Sequence, residues 1–260
     1  MNYKFISLFF IIIFYIFFIN FSSNCDQFDE WTKKYDEILK KYVHPGELKG
    51  IKLNLVDYKS LREEKGIDKL ETELSSLSSP ENLTRNKQLA FWINVYNFLT
   101  IIKIVRNPKL KSIKDLNKPF ENVWQQTAGI INNEKITLDQ IEHEIIRKKF
   151  NEPRIHFAVN CASISCPDLR AEAYFPDKLD KQLEDQLIKT LNNQKKGMFI
   201  DNKKRIIYLS KIFNWYKVDF SNNAKLWLKN KNLIDDNVFN NYSVKYFNYD
   251  WDLNSIQGRN

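Results

Sequence analysis

The segment Gln88 to Arg106, QLAFWINVYNFLTIIKIVR, constrains this chain most, because at the 3.6-residue period it is apolar almost all the way round. A helix of that kind has no solvent face and must be wrapped by the rest of the protein. Asn94 and Asn97 interrupt it at i and i+3, so they sit on one face. A buried amide without partners costs about 1–3 kcal/mol, so each needs backbone, another side chain or a ligand. The chain has 260 residues, 43% hydrophobic and 14% aromatic, which is enough to build such a core and argues against disorder in the body.

Helical spacing recurs elsewhere. Phe28, Trp31, Tyr35, Ile38 and Leu39 predict a helix from Asp26 to Tyr42, stopped by His44-Pro45-Gly46. A short extended piece at 51–55 precedes a second amphipathic helix through Leu61, Leu70, Leu74 and Leu77, and Ser75 to Pro80 reads as a linker. Ile130 to Ile136 reads as a hairpin with an Asn132-Asn133 turn. Thr137 and Gln140 then form a capping box for a helix whose inward arc holds Leu138, Ile141, Ile145, Ile146 and Glu142, with His143 at its edge. A carboxylate facing a core needs a cation or donors, and Arg154 or Arg170 is the expected partner of Glu142.

Arg154 to Asn160 has strand alternation, with His156, Ala158 and Asn160 on one face. Pro167 directly after Cys166 predicts a helix start with Cys166 as N-cap, where free N–H groups would favour a thiolate. A helix from Pro176 to Leu191, a hairpin pairing 198–200 with 205–209, helices around Phe213–Tyr216 and Leu226–Leu228, and a Tyr-rich final strand complete the pattern. The order implies an α+β fold: one helix-rich domain with a small, mostly antiparallel sheet, for which a papain-like arrangement is one candidate. Its division is residues 1–24 as signal peptide or signal anchor, 25–48 as tether and helical arm, and 49–255 as the main domain.

Lys4 followed by an uncharged run from Phe5 to Phe21 has the form of a secretory segment, or of a signal anchor, and predicts export. Cys25 stands where a bacterial lipoprotein is cut and acylated, so a membrane anchor facing the periplasm or cell exterior is expected. The net charge of +8 comes with Lys and Arg in short clusters, among them Lys195-Lys196, that read as solvated faces; no nucleic-acid motif accompanies them, and no nucleic-acid partner is expected. With six glycines and no glycine-rich loop, nucleotide cradling is not expected either.

The chemistry concentrates in HFAVNCASISCPDLR, residues 156–170, where Cys161 and Cys166 lie five residues apart. One reading is a thiol-dependent hydrolase or transferase acting on an amide or ester, with Cys166 as nucleophile, His143 or His156 as base, Glu142 or an Asn as its orienter and Asn94 as an oxyanion donor. Asn97, Asn160, Cys161 and Arg170 are the candidate substrate-binding residues, and the ligand, small molecule or peptide, is left open. The alternative is a non-catalytic envelope binding or scaffold module stapled by a Cys161–Cys166 disulfide, which export would permit. A redox pair is less expected from C-x4-C than from C-x-x-C. His143, His156, Cys161 and Cys166 have zinc-ligand types but not a common zinc spacing, so no metal and no cofactor is expected.

AFWINVYN at 90–97, ITLDQIEH at 136–143, RIHFAVNCASISCPDLR at 154–170, LSKIFNWYKVDF at 209–220 and YDWDLN at 249–254 together resemble the bacterial and plant family catalogued as domain of unknown function 547. The resemblance spans about residues 50–255 and implies an exported or membrane-attached bacterial protein, with no agreed activity. The family pattern usually has Gly after the first cysteine and often Pro-Pro after the second; this chain has Ala162 and Pro167-Asp168.

Overall fold

A computed structural model describes residues 27–259, so the expected signal segment 1–24 and Cys25 lie outside the described residues. At its centre is α4, Arg85–Val105, in which every residue from Leu89 to Val105 is buried. The helix is long and apolar enough to cross a membrane, but 94% of its apolar window is buried within the protein itself. The all-round apolar pattern therefore does what it predicts: it makes a core.

Helix α1, over 27–42, packs onto this core, with Phe28 4.8 Å from Phe91 and both Trp31 and Tyr35 edge-on to Phe98. The His44-Pro45-Gly46 signal does end the helix, yet the chain does not merely turn there. It runs on as β1, Val43–Leu48, antiparallel to β2, Ile51–Val56, around Lys49 and Gly50, which both have positive φ. A two-residue turn with φ > 0 at both positions matches the twist of a hairpin, and Pro45 is tolerated on so short a ribbon. The expected second helix is two: α2, Tyr58–Glu63, and α3, Lys65–Ser76, broken at Glu64, whose extended backbone lets its carboxylate cap Gly66.

β3, Thr127–Ile131, and β4, Glu134–Thr137, form the expected hairpin, with Asn132 and Asn133 both left-handed at the turn. The capping box is present: Gln140 N donates to Thr137 Oγ1 at 3.0 Å, and Thr137 N to Gln140 Oε1 at 2.9 Å. Inside that helix, Gln140–Ile146 is a π-helical stretch leading into α5, Arg147–Phe150. Such stretches re-aim side chains and concentrate at functional sites.

Two expectations near the cysteines are corrected. Residues 154–160 are not a strand: Pro153–Phe157 is a 3-10 turn that opens on Pro153 and is capped by the Glu152 side chain. No helix starts at Pro167 either, and the chain stays irregular up to α6, Leu179–Leu191. Cys166 is therefore not an N-cap, and no helix dipole acts on it.

The remainder comprises β5, Met198–Asp201, antiparallel to β6, Ile206–Leu209; the short helices α7, Ile212–Trp215, α8, Ala224–Asn230, and α9, Asp236–Asn241; and β7, Ser243–Tyr246, parallel to β6. The fold is thus α+β, with mostly antiparallel pairing divided among three small sheets instead of one. Phe157, Phe213, Phe220 and Trp227 nucleate a second apolar cluster beside the α4 core. His156 precedes Phe157, so the cysteine segment runs from the seam between the two clusters.

Candidate functional site

Buried asparagines build the cysteine loop. Asn97 accepts from Asn160 N at 2.8 Å and donates to Ala158 O at 3.0 Å; Asn160 donates to Pro167 O at 2.7 Å and accepts from Ala162 N at 2.8 Å. Asn54 holds Leu169 O from β2. The closing segment runs beside the loop, with Ile164 N donating to Asp252 O, Ser165 N to Asp250 O, and Asn254 N to Ala162 O. Ala162 is held at φ +58°, a conformation that favours glycine.

Lys196 completes the loop, although its sequence context suggested a solvated cluster. Its ammonium is buried and donates to Ile164 O at 3.1 Å, Cys166 O at 2.7 Å and Asp168 Oδ1 at 2.7 Å. A loop fixed by this many donors is preorganised, and its two sulfurs are placed by backbone rather than by free rotation.

Cys161 and Cys166 are free thiols with their sulfurs 2.9 Å apart. Cys161 is half-buried, and its sulfur also lies 3.2 Å from Ser163 Oγ and 3.3 Å from Tyr249 Oη. Cys166 is buried and accepts from Cys161 N at 3.0 Å. Burial opposes charge on Cys161, but hydrogen bonds from Cys166, Ser163 and Tyr249 outweigh it and bring that thiol down to about 7. Burial and then the adjacent Cys161 push Cys166 well above the ordinary thiol range. The pair thus holds one proton, on Cys166, with the charge on Cys161. Of the two sulfurs, then, Cys161 is the one held toward the thiolate and Cys166, the expected nucleophile, the one held as the thiol.

Across the hollow stands an acid–imidazole group. His156 Nε2 lies 2.6 Å from Asp219 Oδ2, and Arg147 grips the same carboxylate through Nε at 2.7 Å and a terminal nitrogen at 2.9 Å. The His156 ring stacks on Tyr216 with centroids 3.8 Å apart. Burial works against an ionised Asp219, yet His156 and Arg147 hold it far below the usual carboxylate range. Burial likewise depresses the His156 pKa, against the opposing pull of Asp219 and Glu142. An ionised Asp219 requires the imidazole proton on Nε2, so Nδ1 is a bare lone pair. It faces Glu142 Oε1 at 3.8 Å, and both atoms are buried with no hydrogen-bond partner.

Neither Arg154 nor Arg170 pairs with Glu142, because neighbouring acids and those of α6 take both: Arg154 binds Glu152, Asp180 and Glu184, and Arg170 binds Glu172 and Asp185. The neighbour of Glu142 is instead Tyr216, whose phenol burial and the Glu142 charge push far upward. Asn94, the expected oxyanion donor, is not among the residues that line the hollow; its amide is bonded to the backbone N–H and C=O of Tyr174, both at 2.8 Å. Asn97 and Asn160 are likewise spent on backbone, and Arg170 does not line the hollow.

The hollow has a volume of about 410 Å³ and is lined by Cys161, Cys166, Glu142, His143 and His156 among others. So five of the expected residues do converge, but neither imidazole hydrogen-bonds to either sulfur among the described contacts. His143 is held off by Arg147, 3.0 Å from its Nδ1, and lies 3.6 Å from Asp139. No group of three or more His, Cys, Asp or Glu side chains among the described residues has metal-holding geometry. Around the mouth, Trp215 stacks on Trp251 and both meet Tyr249 at a tilt, all within 5.7 Å of one another; Trp124 meets Trp251 edge-on, and Lys114 Nζ lies 3.8 Å over the Trp251 ring.

Residues first revealed by the structure are Asp219, Arg147, Tyr216, Tyr249 and Lys196. Tyr216 and Asp219 lie within the LSKIFNWYKVDF motif and Tyr249 within YDWDLN, so the resemblance carried them without giving them roles. Comparison with curated proteins and with solved structures returns no match. Residues 80–189, which carry α4, Glu142, both site histidines and both site cysteines, match the model of a family described as "Protein of unknown function, DUF547".

Proposed function

We propose that this protein is a membrane-anchored, thiol-dependent acyl-transfer enzyme of the cell envelope, a hydrolase or transferase acting on an ester or amide. The observation that carries the reading is Cys161: a half-buried sulfur lining a 410 Å³ hollow, with its thiol brought down to about 7 by three neighbouring donors. Near neutral pH such a sulfur is substantially thiolate without a base touching it. The thiolate attacks the substrate carbonyl carbon, a C–S bond forms, and the C–O or C–N bond breaks. The leaving group takes a proton from solvent at the mouth. Water or an amine then attacks the thioester, giving a proton to His156 Nδ1, and the C–S bond breaks to return the thiolate; His156 passes that proton to solvent.

Envelope attachment is supported by the sequence of residues 1–25: Lys4, the apolar run to Phe21, and a cysteine, Cys25, at the position where acylation would occur. Cys25→Ser is expected to release the protein from the membrane fraction, and unchanged fractionation would contradict a lipid anchor.

The catalytic test is turnover of p-nitrophenyl acetate, with mass spectrometry of the quenched protein. The expected result is one acetyl group on Cys161, and loss of turnover in Cys161→Ala. Acetylation elsewhere, or full activity of that variant, would overturn the assignment. A second reading, a non-catalytic envelope module, draws on the 2.9 Å approach of the two sulfurs, close enough for an oxidant to join them. Exported protein lighter by two hydrogens, restored by reductant, with no turnover in either form would favour it.

A further inference from the structure

His156 Nδ1 and Glu142 Oε1 face each other at 3.8 Å, both buried, both without a partner, and both belonging to residues that line the hollow. Asp219, gripped by Arg147, keeps the imidazole proton on Nε2, so the gap holds two acceptors and no hydrogen. Each unpaired buried acceptor destabilises the site until a donor arrives.

We infer that this gap is a recognition subsite for a primary ammonium group, and that the substrate or acyl acceptor of the enzyme is an amine. A hydroxyl carries one hydrogen and satisfies one acceptor. An ammonium carries three, so one group can satisfy both acceptors at once. Charge favours it as well: Asp139 and Glu142 line the hollow against a single lysine, Lys114, whose Nζ is turned onto the Trp251 face. Further out, the rings of Trp124, Trp215 and Tyr249 line the hollow and offer apolar surface to the alkyl chain that carries the ammonium. The acceptor role rests on the acyl-transfer reading; the binding site does not.

The probes are n-pentylamine and its uncharged analogue n-pentanol, titrated calorimetrically at pH 7 into the full chain with reduced thiols. Pentylamine is expected to bind at least 10-fold more tightly than pentanol, and Glu142→Gln to erase that preference. Equal affinities, or a preference that survives in Glu142→Gln, would overturn the subsite. The two-probe comparison on the wild-type protein stands even if the variant fails to fold. Acetyl transfer from p-nitrophenyl acetate is followed separately, with N-pentylacetamide expected as product in preference to acetate. Amine binding without Cys161 acetylation would sink the acyl-transfer reading and leave the subsite standing; acetylation without amine preference would do the reverse.

Discussion

Replacing Lys196 with Met tests whether a buried cation, rather than apolar packing alone, shapes the cysteine loop. The substitution keeps length and volume but removes three hydrogen bonds, to Ile164 O, Cys166 O and Asp168 Oδ1. Asp168 is 9% exposed, so the change strands a largely buried carboxylate, and breaking a buried pair from one side costs about 3–5 kcal/mol. Lys189, 3.4 Å from the other carboxylate oxygen, remains to screen it and holds the loss near the lower end of that range. At about 2–4 °C per kcal/mol for a chain of this size, a loss of about 3 kcal/mol should lower the melting temperature by about 6–12 °C. Thermal unfolding followed by circular dichroism measures it, with Lys196→Met/Asp168→Asn as the second arm; removing the orphaned charge should recover part of the loss. A Lys196→Met melting temperature within about 1 °C of the wild type, or a double variant less stable than the single one, would refute the clamp.

Asn160→Ala leaves Pro167 O and Ala162 N unpaired in a buried loop, for an expected loss of about 2–4 kcal/mol in urea unfolding; a loss under about 0.5 kcal/mol would contradict the clamp. Stability should also depend on pH in two steps. The unfolded chain protonates its histidine near pH 6.5, whereas buried His156 resists, so its contribution is full above that pH and declines as pH falls toward the depressed folded value. Asp219 and Glu152, held low by His156, Arg147 and Arg154, contribute fully above about pH 4 and lose that contribution as pH drops through their folded values. Melting temperatures measured from pH 8 to pH 3 should therefore sag below 6.5 and drop steeply below 4; a rise on acidification would have the wrong sign.

Local signals carried the fold where one residue pattern sufficed. The unbroken apolar face of α4, the Thr137–Gln140 capping box and the paired asparagines of the β3–β4 turn each act within a few residues, and each is legible. The misreadings fall where two local rules compete. RIHFAV alternates like a strand, but Pro153 and the Glu152 cap start a 3-10 turn, and an apolar run that short carries no length to decide between them. Pro167 has the form of a first helical residue, but the carbonyls that follow Asn160 are taken by Asn160, Lys196 and Gln186, which bend the chain away from a helix. For the site, Cys161, Cys166, Glu142 and His156 were visible as chemistry-bearing residues, while their partners were not. Asp219 lies 63 residues from His156 and Tyr249 lies 88 from Cys161, separations over which no periodicity or spacing speaks. The choice between the two sulfurs turned on such distant donors, and only their positions in space reveal which thiol carries the charge.

That assignment is tested most directly by the pH dependence of iodoacetamide alkylation in reduced protein, with the modified cysteine located by mass spectrometry. The account predicts carbamidomethylation of Cys161 first, at a rate half-maximal near pH 7. Alkylation of Cys166 first, or a midpoint at the ordinary thiol value of about 8.5, would contradict it.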